Sequence, residues 1–356
     1  MSQKEPGNLP LTEERGHFSA LPIVDVADLR SQELARRQRV ARELDHAARH
    51  VGFLYVTGHG ISQHLLDAVR EQAARFFALP EATKLAYYIG LAPNHRGYVP
   101  VGEEVFYGQT KDSKEGFDLS ADLPDDPDFL RGNRLLGPNV WPRELPEFRD
   151  VVGRYYDEVM RFGRQLIRGF ALALGLPEQQ FDPALQKPPS QLRLLHYPPN
   201  PEAETQMGIG SHTDYECFTI LHTSGPGLEV MNADGAWVDA PPRTGAFVVN
   251  IGDTFEVLTH GYWVSTAHRV RAVRERRYSF PLFFGLDYDT VVEPLPKFAP
   301  QGSPSRYPPI VAGEHLLAQT AQTFRYYRPL IEQGRFTMPA SAQTLSSFGR
   351  DRGDAP

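Results

Sequence analysis

Between residues 191 and 285, short apolar runs follow one another with only turn residues between them, and this rhythm constrains the fold more than any other feature. Gln191 to Tyr197 is stopped by Pro198-Pro199. Phe218 to His222, Gly227 to Met231, Ala236 to Val238, Ala246 to Ile251, Thr266 to Val270 and Arg277 to Gly285 follow it. The turn Asn232-Ala233-Asp234-Gly235 joins two of these runs as a hairpin. Parallel strands need crossover helices, and no helical pattern intervenes here. Evenly spaced strands with Gly and Pro turns therefore predict an antiparallel sandwich or barrel.

The flanks read differently. Residues 33 to 50 carry Leu34, Val40, Leu44 and Ala47 on one stripe, and 61 to 77 fit a second helix ended by Pro80. Residues 51 to 57 are a strand, turned by Gly58-His59-Gly60, and Leu21 to Val26 is a shorter one. Residues 146 to 174 give the clearest helix. Val152, Tyr155, Val159, Phe162, Leu166 and Phe170 recur at three and four, a stripe expected to pack on a sheet. Residues 312 to 328 return to helix, while 1 to 18 and the tail after Ser341 read as loose ends. Residues 86 to 145 form a long irregular region holding two extended pieces, around Arg96-Gly97-Tyr98 and Lys114 to Leu119. A loop that long is often a lid or pocket wall.

Composition enters where it excludes. A formal charge of −7 and a pI near 6.0 give no reason to expect nucleic acid or an anionic membrane as partner. Cys217 is the only cysteine, so neither an intrachain disulfide nor a cysteine-built zinc site is available. The polar N-terminus and the lack of any long apolar run make the cytoplasm the expected compartment.

The chemistry concentrates in residues 208 to 280. His212 and Asp214 form a His-x-Asp pair, and His268 follows 54 residues after Asp214. Two neutral imidazoles and one carboxylate on one face of a metal make the ligand set of non-haem Fe(II) oxygenases, with open positions left for cosubstrate and O₂. On a strand, residues two apart share a face, so His212 and Asp214 address one point, and His268 is expected from another strand across a barrel mouth. Arg277 and Ser279 share a face in the same way, and an arginine fork beside a hydroxyl suits a carboxylate bound end-on. Tyr197 is a third candidate for that role.

These residues carry a resemblance. Leu21 to Asp25, Gly52 to Ile61, Arg96-Gly97-Tyr98, Lys114 to Asp118, Leu192 to Pro199, His212-Thr213-Asp214, Asn250 to Asp253, His268-Arg269-Val270 and Arg277-Tyr278-Ser279 together resemble the isopenicillin N synthase-like branch of the Fe(II)/2-oxoglutarate-dependent dioxygenases. The likeness runs from about residue 20 to residue 330. It implies a mainly β fold with flanking helices, a distorted double-stranded β-helix of the jelly-roll or cupin type. The expected division is an N-terminal helix-and-strand region (1–120), connecting loops with the long helix (121–190), the barrel core (191–290) and a C-terminal helix and tail (291–356). It further implies that His212, Asp214 and His268 bind Fe(II), that Arg277 and Ser279 hold the distal carboxylate of 2-oxoglutarate, and that Tyr197 lies in the cosubstrate pocket. The expected reaction oxidises a small molecule with O₂, by hydroxylation or else desaturation or cyclisation, and turns 2-oxoglutarate into succinate and CO₂. Two rivals stand beside it: an isopenicillin N synthase-like oxidase that does without 2-oxoglutarate, and a non-catalytic metal-binding barrel. Where the family often has asparagine, this chain has His196 before Tyr197 and the segment Thr259-His260-Gly261 before His268.

The remaining reactive side chains have plainer readings. His17, His46, His50, His64 and His315 are expected to be solvated, His59 to cap backbone in its turn, and His222 to be a satisfied core histidine. His196 and His260 are kept as groups near the pocket. Cys217 reads as a small buried hydrophobe. Gly208-Ile209-Gly210 lacks the third glycine and the helix of a dinucleotide site, and Ser224 lacks the setting of a nucleophile. Arg269, Arg271, Arg274 and Arg276 read as solvated charges, unlike Arg277. Candidate pocket walls are Arg96 to Tyr98, the loop around Glu103 and Tyr107, and Phe283 or Phe284. Residue types alone choose neither a substrate nor an oligomeric state.

Overall fold

In the computed structural model, which describes residues 16–105, 112–199, 207–272, 274–299, 305 and 307–339, the apolar stripes of the sequence become helices. They are α1 (Leu34–His50), α2 (Gln63–Phe77), α3 (Phe148–Ala173) and α4 (Ala312–Thr323). Ser62 caps α2 by accepting the Leu65 N–H at 3.3 Å. Helix α3 buries all six stripe residues against a sheet, which makes the stripe core packing. Helix α4 stops sooner than its pattern implies. At Phe324 the chain turns extended and pairs with Glu104, so the backbone leaves the helix to bind the segment beside it. A short helix, Tyr327–Glu332, follows.

The strands of the two main sheets are β1 (Ile23–Asp25), β2 (Phe53–Thr57), β3 (Gly97–Val99), β4 (Glu115–Leu119), β5 (Gln191–Tyr197) and β6 (Ile209–His212). After them come β7 (Phe218–Thr223), β8 (Leu228–Met231), β9 (Trp237–Asp239), β10 (Phe247–Ile251), β11 (His268–Val270) and β12 (Arg277–Phe284). Eight of them form one sheet in the order β1-β2-β10-β7-β12-β5-β4-β3, and four form a second in the order β6-β11-β8-β9. The expected hairpin is β8–β9. Its turn is closed by the Asn232 side chain, which accepts the Asp234 and Ala236 N–H groups, with Gly235 at φ +76°. Both extended pieces of the irregular region are strands, β3 and β4, at one edge of the large sheet. Tyr107 lies outside the described residues.

One face of the large sheet meets helices and the other meets a cavity. Along β12, Phe280, Leu282 and Phe284 join the core under α3, while Arg277, Ser279, Pro281 and Phe283 line the cavity. Along β5, Leu192 and Leu194 face the core, whereas Gln191, Arg193, Leu195 and Tyr197 face the cavity. The small sheet closes the opposite side with Ile209, His212, Leu228, His268 and Val270. The two sheets enclose the space as an open pair, not as a closed barrel.

Candidate functional site

Strands β6 and β11 run antiparallel and set His268 directly opposite His212. The second histidine is thus a cross-strand neighbour of the first, and not a residue reaching across a barrel mouth. Pairing in register brings the ring centroids to 4.3 Å. Asp214 lies two residues past the end of β6, so the loop aims it and strand alternation does not. Its Oδ1 is 3.8 Å from His212 Nε2 and 3.7 Å from His268 Nε2. The three ligand atoms lie within 4.8 Å of one another, on three buried residues.

Their outer contacts decide which atoms face that shared point. His212 Nδ1 lies 2.8 Å from the Gly210 carbonyl, and His268 Nδ1 lies 3.2 Å from the Thr266 carbonyl. A carbonyl only accepts, so each Nδ1 carries the hydrogen and each Nε2 presents a lone pair. Asp214 Oδ2 accepts from Thr219 Oγ1 and, at 2.7 Å, from Asn250 Nδ2, which leaves Oδ1 for the shared point. Burial first, and the neighbouring His268 second, push the His212 pKa down to about 3. For Asp214 burial works the other way, but both histidines and the Asn250 and Thr219 donors outweigh it and hold the carboxyl below its usual range. His212 and Asp214 are therefore deprotonated at neutral pH, where a cation needs them to be, and two imidazoles with one carboxylate suit Fe(II).

The second half of the site is an idle cation. Arg277 is 1% exposed, and its Nε donates to the Gly225 carbonyl at 3.1 Å. Its guanidinium lies over the Tyr197 ring at 4.7 Å. Nη1, Nη2 and the Tyr197 hydroxyl make no hydrogen bond of good geometry among the described residues; the guanidinium and the hydroxyl have only each other close by. Buried donors left unpaired cost free energy that an incoming anion would recover. Ser279 follows on the same face of β12 and Tyr197 pairs with Arg277 across to β5, so the three expected cosubstrate residues share one wall. The wall fits a carboxylate.

A third group escaped sequence reasoning. Arg193 pairs with Asp118 at 2.9 Å and with Glu104 at 2.5 Å. Lys114 pairs with Glu104, and with Asp112 at 3.1 Å. Asp112 in turn accepts the Gly210 N–H at 3.2 Å, which ties this ionic wall to the strand carrying His212. His95, at φ +58°, adds an imidazole bonded to the Tyr326 hydroxyl at 2.7 Å. His95, Glu104, Lys114 and Arg193 all line the cavity, as does Phe324. The alternation Gln191, Arg193, Leu195, Tyr197 was the one signal that could have exposed Arg193. The others come from the irregular region, where no period marks a face.

Several expectations change. His196 does not reach the pocket: it sits on the core side of β5, bonded to Glu115 at 2.8 Å and stacked on Tyr278. His260 packs edge-on to Tyr307, also away from the cavity. His315 is fully buried, 3.8 Å from Asp253, because α4 packs behind the metal-site loop; it is not solvated. His222 stays out of the site, half-buried and stacked on Phe280, and its Nδ1 has no partner among the described residues, so it is not the satisfied core histidine expected. His59 accepts the Ile61 N–H at 3.1 Å in its turn, and Cys217 is fully buried. Arg269 is bound by Glu229 and lies over Trp237, so it is not free in solvent. Of the expected walls, Phe283 lines the cavity while Phe284 lies under α3. Arg96 sits behind the wall on backbone carbonyls, Tyr98 donates to Glu115, and Glu103 caps the Tyr326 N–H.

Residues 21–144 match the family model of the non-haem dioxygenase in morphine synthesis N-terminal region, and residues 188–286 match that of the 2OG-Fe(II) oxygenase superfamily. The chain belongs to the 2OG-Fe(II) oxygenase superfamily. The 2-oxoglutarate-Fe(II) type oxidoreductase hxnY of Emericella nidulans is 32% identical over 89% of this chain and 95% of its own length. A homoarginine-6-hydroxylase of Arabidopsis thaliana is 33% identical, covering 86% of this chain and 98% of its own. The crystal structure of a full-length Neurospora crassa protein in complex with alpha-KG superposes with a TM-score of 0.74 at 25% identity, over 85% of this chain and 96% of that one. The fold is therefore the distorted double-stranded β-helix of the isopenicillin N synthase-like oxygenases, and the protein is an Fe(II)- and 2-oxoglutarate-dependent dioxygenase. Among the described residues no helix is long and apolar enough to cross a membrane.

Proposed function

We propose that His212, Asp214 and His268 hold Fe(II), that Arg277, Ser279 and Tyr197 hold the distal carboxylate of 2-oxoglutarate, and that the enzyme hydroxylates a small molecule. The observation that carries this reading is the buried Arg277 guanidinium, with two unpartnered nitrogens in the same cavity as the three convergent ligand atoms. When bound, Fe(II) and 2-oxoglutarate supply the activation of O₂, with succinate and CO₂ as co-products.

The protein's own residues supply placement. The Gly210 and Thr266 carbonyls keep both imidazoles in the tautomer with the hydrogen on Nδ1 and the lone pair on Nε2. Thr219 and Asn250 hold Asp214 so that one oxygen is offered and the other is committed. One carboxylate against a divalent cation leaves a local charge near +1, which draws an anionic cosubstrate. Phe53, Leu195, Leu221 and Val270 line the cavity and keep it poor in water. The whole chain acts as one unit, since the irregular region, the strands and α4 each contribute to the cavity wall. A cytoplasmic location goes with this reading, because Fe(II) persists where the surroundings are reducing.

Anaerobic addition of 2-oxoglutarate to the Fe(II)-loaded protein tests it. A metal-to-ligand charge-transfer band in the visible is expected. Iron binding without that band would remove 2-oxoglutarate from the reading, and failure to bind iron would remove the metal site.

A further inference from the structure

One acid in the cavity has no counter-charge. Glu216 is 6% exposed and lines the cavity two residues from Asp214. No side chain among the described residues donates to its carboxyl group; only the N–H groups of Tyr215 and of its own residue lean toward it. Its position is set by close packing. A Cβ on Gly252 would lie 2.2 Å from the Glu216 carbonyl oxygen, and one on Gly285 would lie 3.4 Å from Glu216 Cγ. The backbone at 216 is thus pressed against Gly252, and the side chain packs beside Gly285.

The other charges around it pair off. Arg193 serves Asp118 and Glu104, Lys114 serves Glu104 and Asp112, and Arg96 lies in the field of Asp118. Three cations therefore meet three carboxylates. Deeper in, a divalent iron with Asp214 and a doubly charged 2-oxoglutarate with Arg277 also sum to zero. Behind Glu216, Asp253 faces His315 and brings no cation to the cavity side. A buried carboxylate without a counter-charge is unfavourable, and a ligand bearing the missing charge relieves it.

We propose that Glu216 binds the substrate by accepting hydrogen bonds from a cationic nitrogen group, an ammonium, amidinium or guanidinium, and so selects cationic small molecules. The proposal rests on the iron and 2-oxoglutarate reading of the same cavity. Glu216 and the three candidate ligands line one cavity, so a cation held by Glu216 shares that cavity with the metal site and with the C–H bond that is oxidised.

The test uses the Fe(II)- and 2-oxoglutarate-loaded enzyme without oxygen, reading the charge-transfer band as butylguanidinium, butylammonium, neutral butylurea or anionic butyrate is added. The cations are expected to shift the band saturably, butylurea to need at least tenfold more, and butyrate to have no effect. Glu216→Gln keeps the side chain's size; it should retain the band yet bind the cations at least tenfold more weakly, while Glu216→Asp should lose less. Equal cation binding by wild type and Glu216→Gln, equal binding of butylurea and the cations, or no response to either cation at tens of millimolar would overturn the proposal. If the band itself never forms, the iron and 2-oxoglutarate reading fails instead. The same four probes followed by calorimetry on the metal-free protein then still decide the role of Glu216.

Discussion

Replacing Arg277 with methionine separates a residue that serves a ligand from one that serves the fold. In the folded protein the guanidinium has already left water, and only Nε is satisfied, by the Gly225 carbonyl at 3.1 Å. Nη1 and Nη2 are free to grip two oxygens of one carboxylate. Removing one partner of a buried charge pair costs about 2–5 kcal/mol. Ser279 and Tyr197 would still contact the carboxylate, so the lower part of that range applies. At 1.4 kcal/mol per factor of ten, the dissociation constant for 2-oxoglutarate should rise about 30- to 300-fold. Fe(II) affinity should hold, because no metal ligand touches Arg277.

The ligand-free protein should behave in the opposite way. Methionine removes a buried charge with two unpaired nitrogens and loses one charge-assisted hydrogen bond of about 1.5–3 kcal/mol; the two effects oppose each other, so the melting temperature should stay close to that of wild type. At a 2-oxoglutarate concentration of 100 times the wild-type dissociation constant, the ligand stabilises wild type by about 2.7 kcal/mol. A variant binding 100-fold more weakly would gain only about 0.4 kcal/mol at that concentration. Thermal melts with and without 2-oxoglutarate, together with an anaerobic titration of the charge-transfer band, measure both effects. Binding within threefold of wild type, or a ligand-free melt several degrees lower, would show that Arg277 is structural and refute the reasoning.

Three further perturbations probe other parts of the molecule. His268→Ala should abolish Fe(II)-dependent turnover of 2-oxoglutarate, measured as succinate release, and retained turnover would remove His268 from the ligand set. Asn250→Leu takes one of the two donors from Asp214 Oδ2 and should weaken Fe(II) binding about 10- to 100-fold, which competition with a chelator would reveal. His222, half-buried against Phe280 and Phe247, has its pKa pushed down to about 4, chiefly because its ring nitrogens are taken out of water. Between pH 6.5 and 4 the unfolded chain holds a proton that the folded chain does not, so stability falls as pH drops through that window, by up to about 3 kcal/mol. His222→Phe should remove that part of the slope in urea melts at pH 7.5 and pH 5, and parallel losses in both proteins would contradict it.

Much of the site was legible because its residues sit at strand spacings. His212 and His268 end and begin their strands, and Arg277 and Ser279 share a face of β12 as alternation requires. The same kind of regularity, at helical spacing, exposes the α3 stripe, all of which is buried. Where no period exists, the sequence was silent. Glu104 and Lys114 look like surface charges in an irregular stretch, and only their mutual pairing beneath α4 makes them a wall. His315 looked solvated because the helical stretch alone does not say which face is covered, and its burial depends on what α4 packs against.

Gly163 shows the division between sequence and tertiary structure most directly. Within a helix a glycine costs about 1 kcal/mol relative to alanine, and the local pattern offers no reason for it. The reason is the Phe284 ring, 2.3 Å from where a Cβ would stand, on a strand more than a hundred residues away. By itself the sequence determined the identities of the candidate ligands, the strand and helix periods, and the absence of a disulfide, since each depends on residue type and local spacing. Only the tertiary structure decided that His268 lies beside His212, that Arg277 is left with idle nitrogens, and that Glu216 lacks a cation. Each of those is a balance of charge or space among segments far apart in the chain, and that balance exists only once they are packed together.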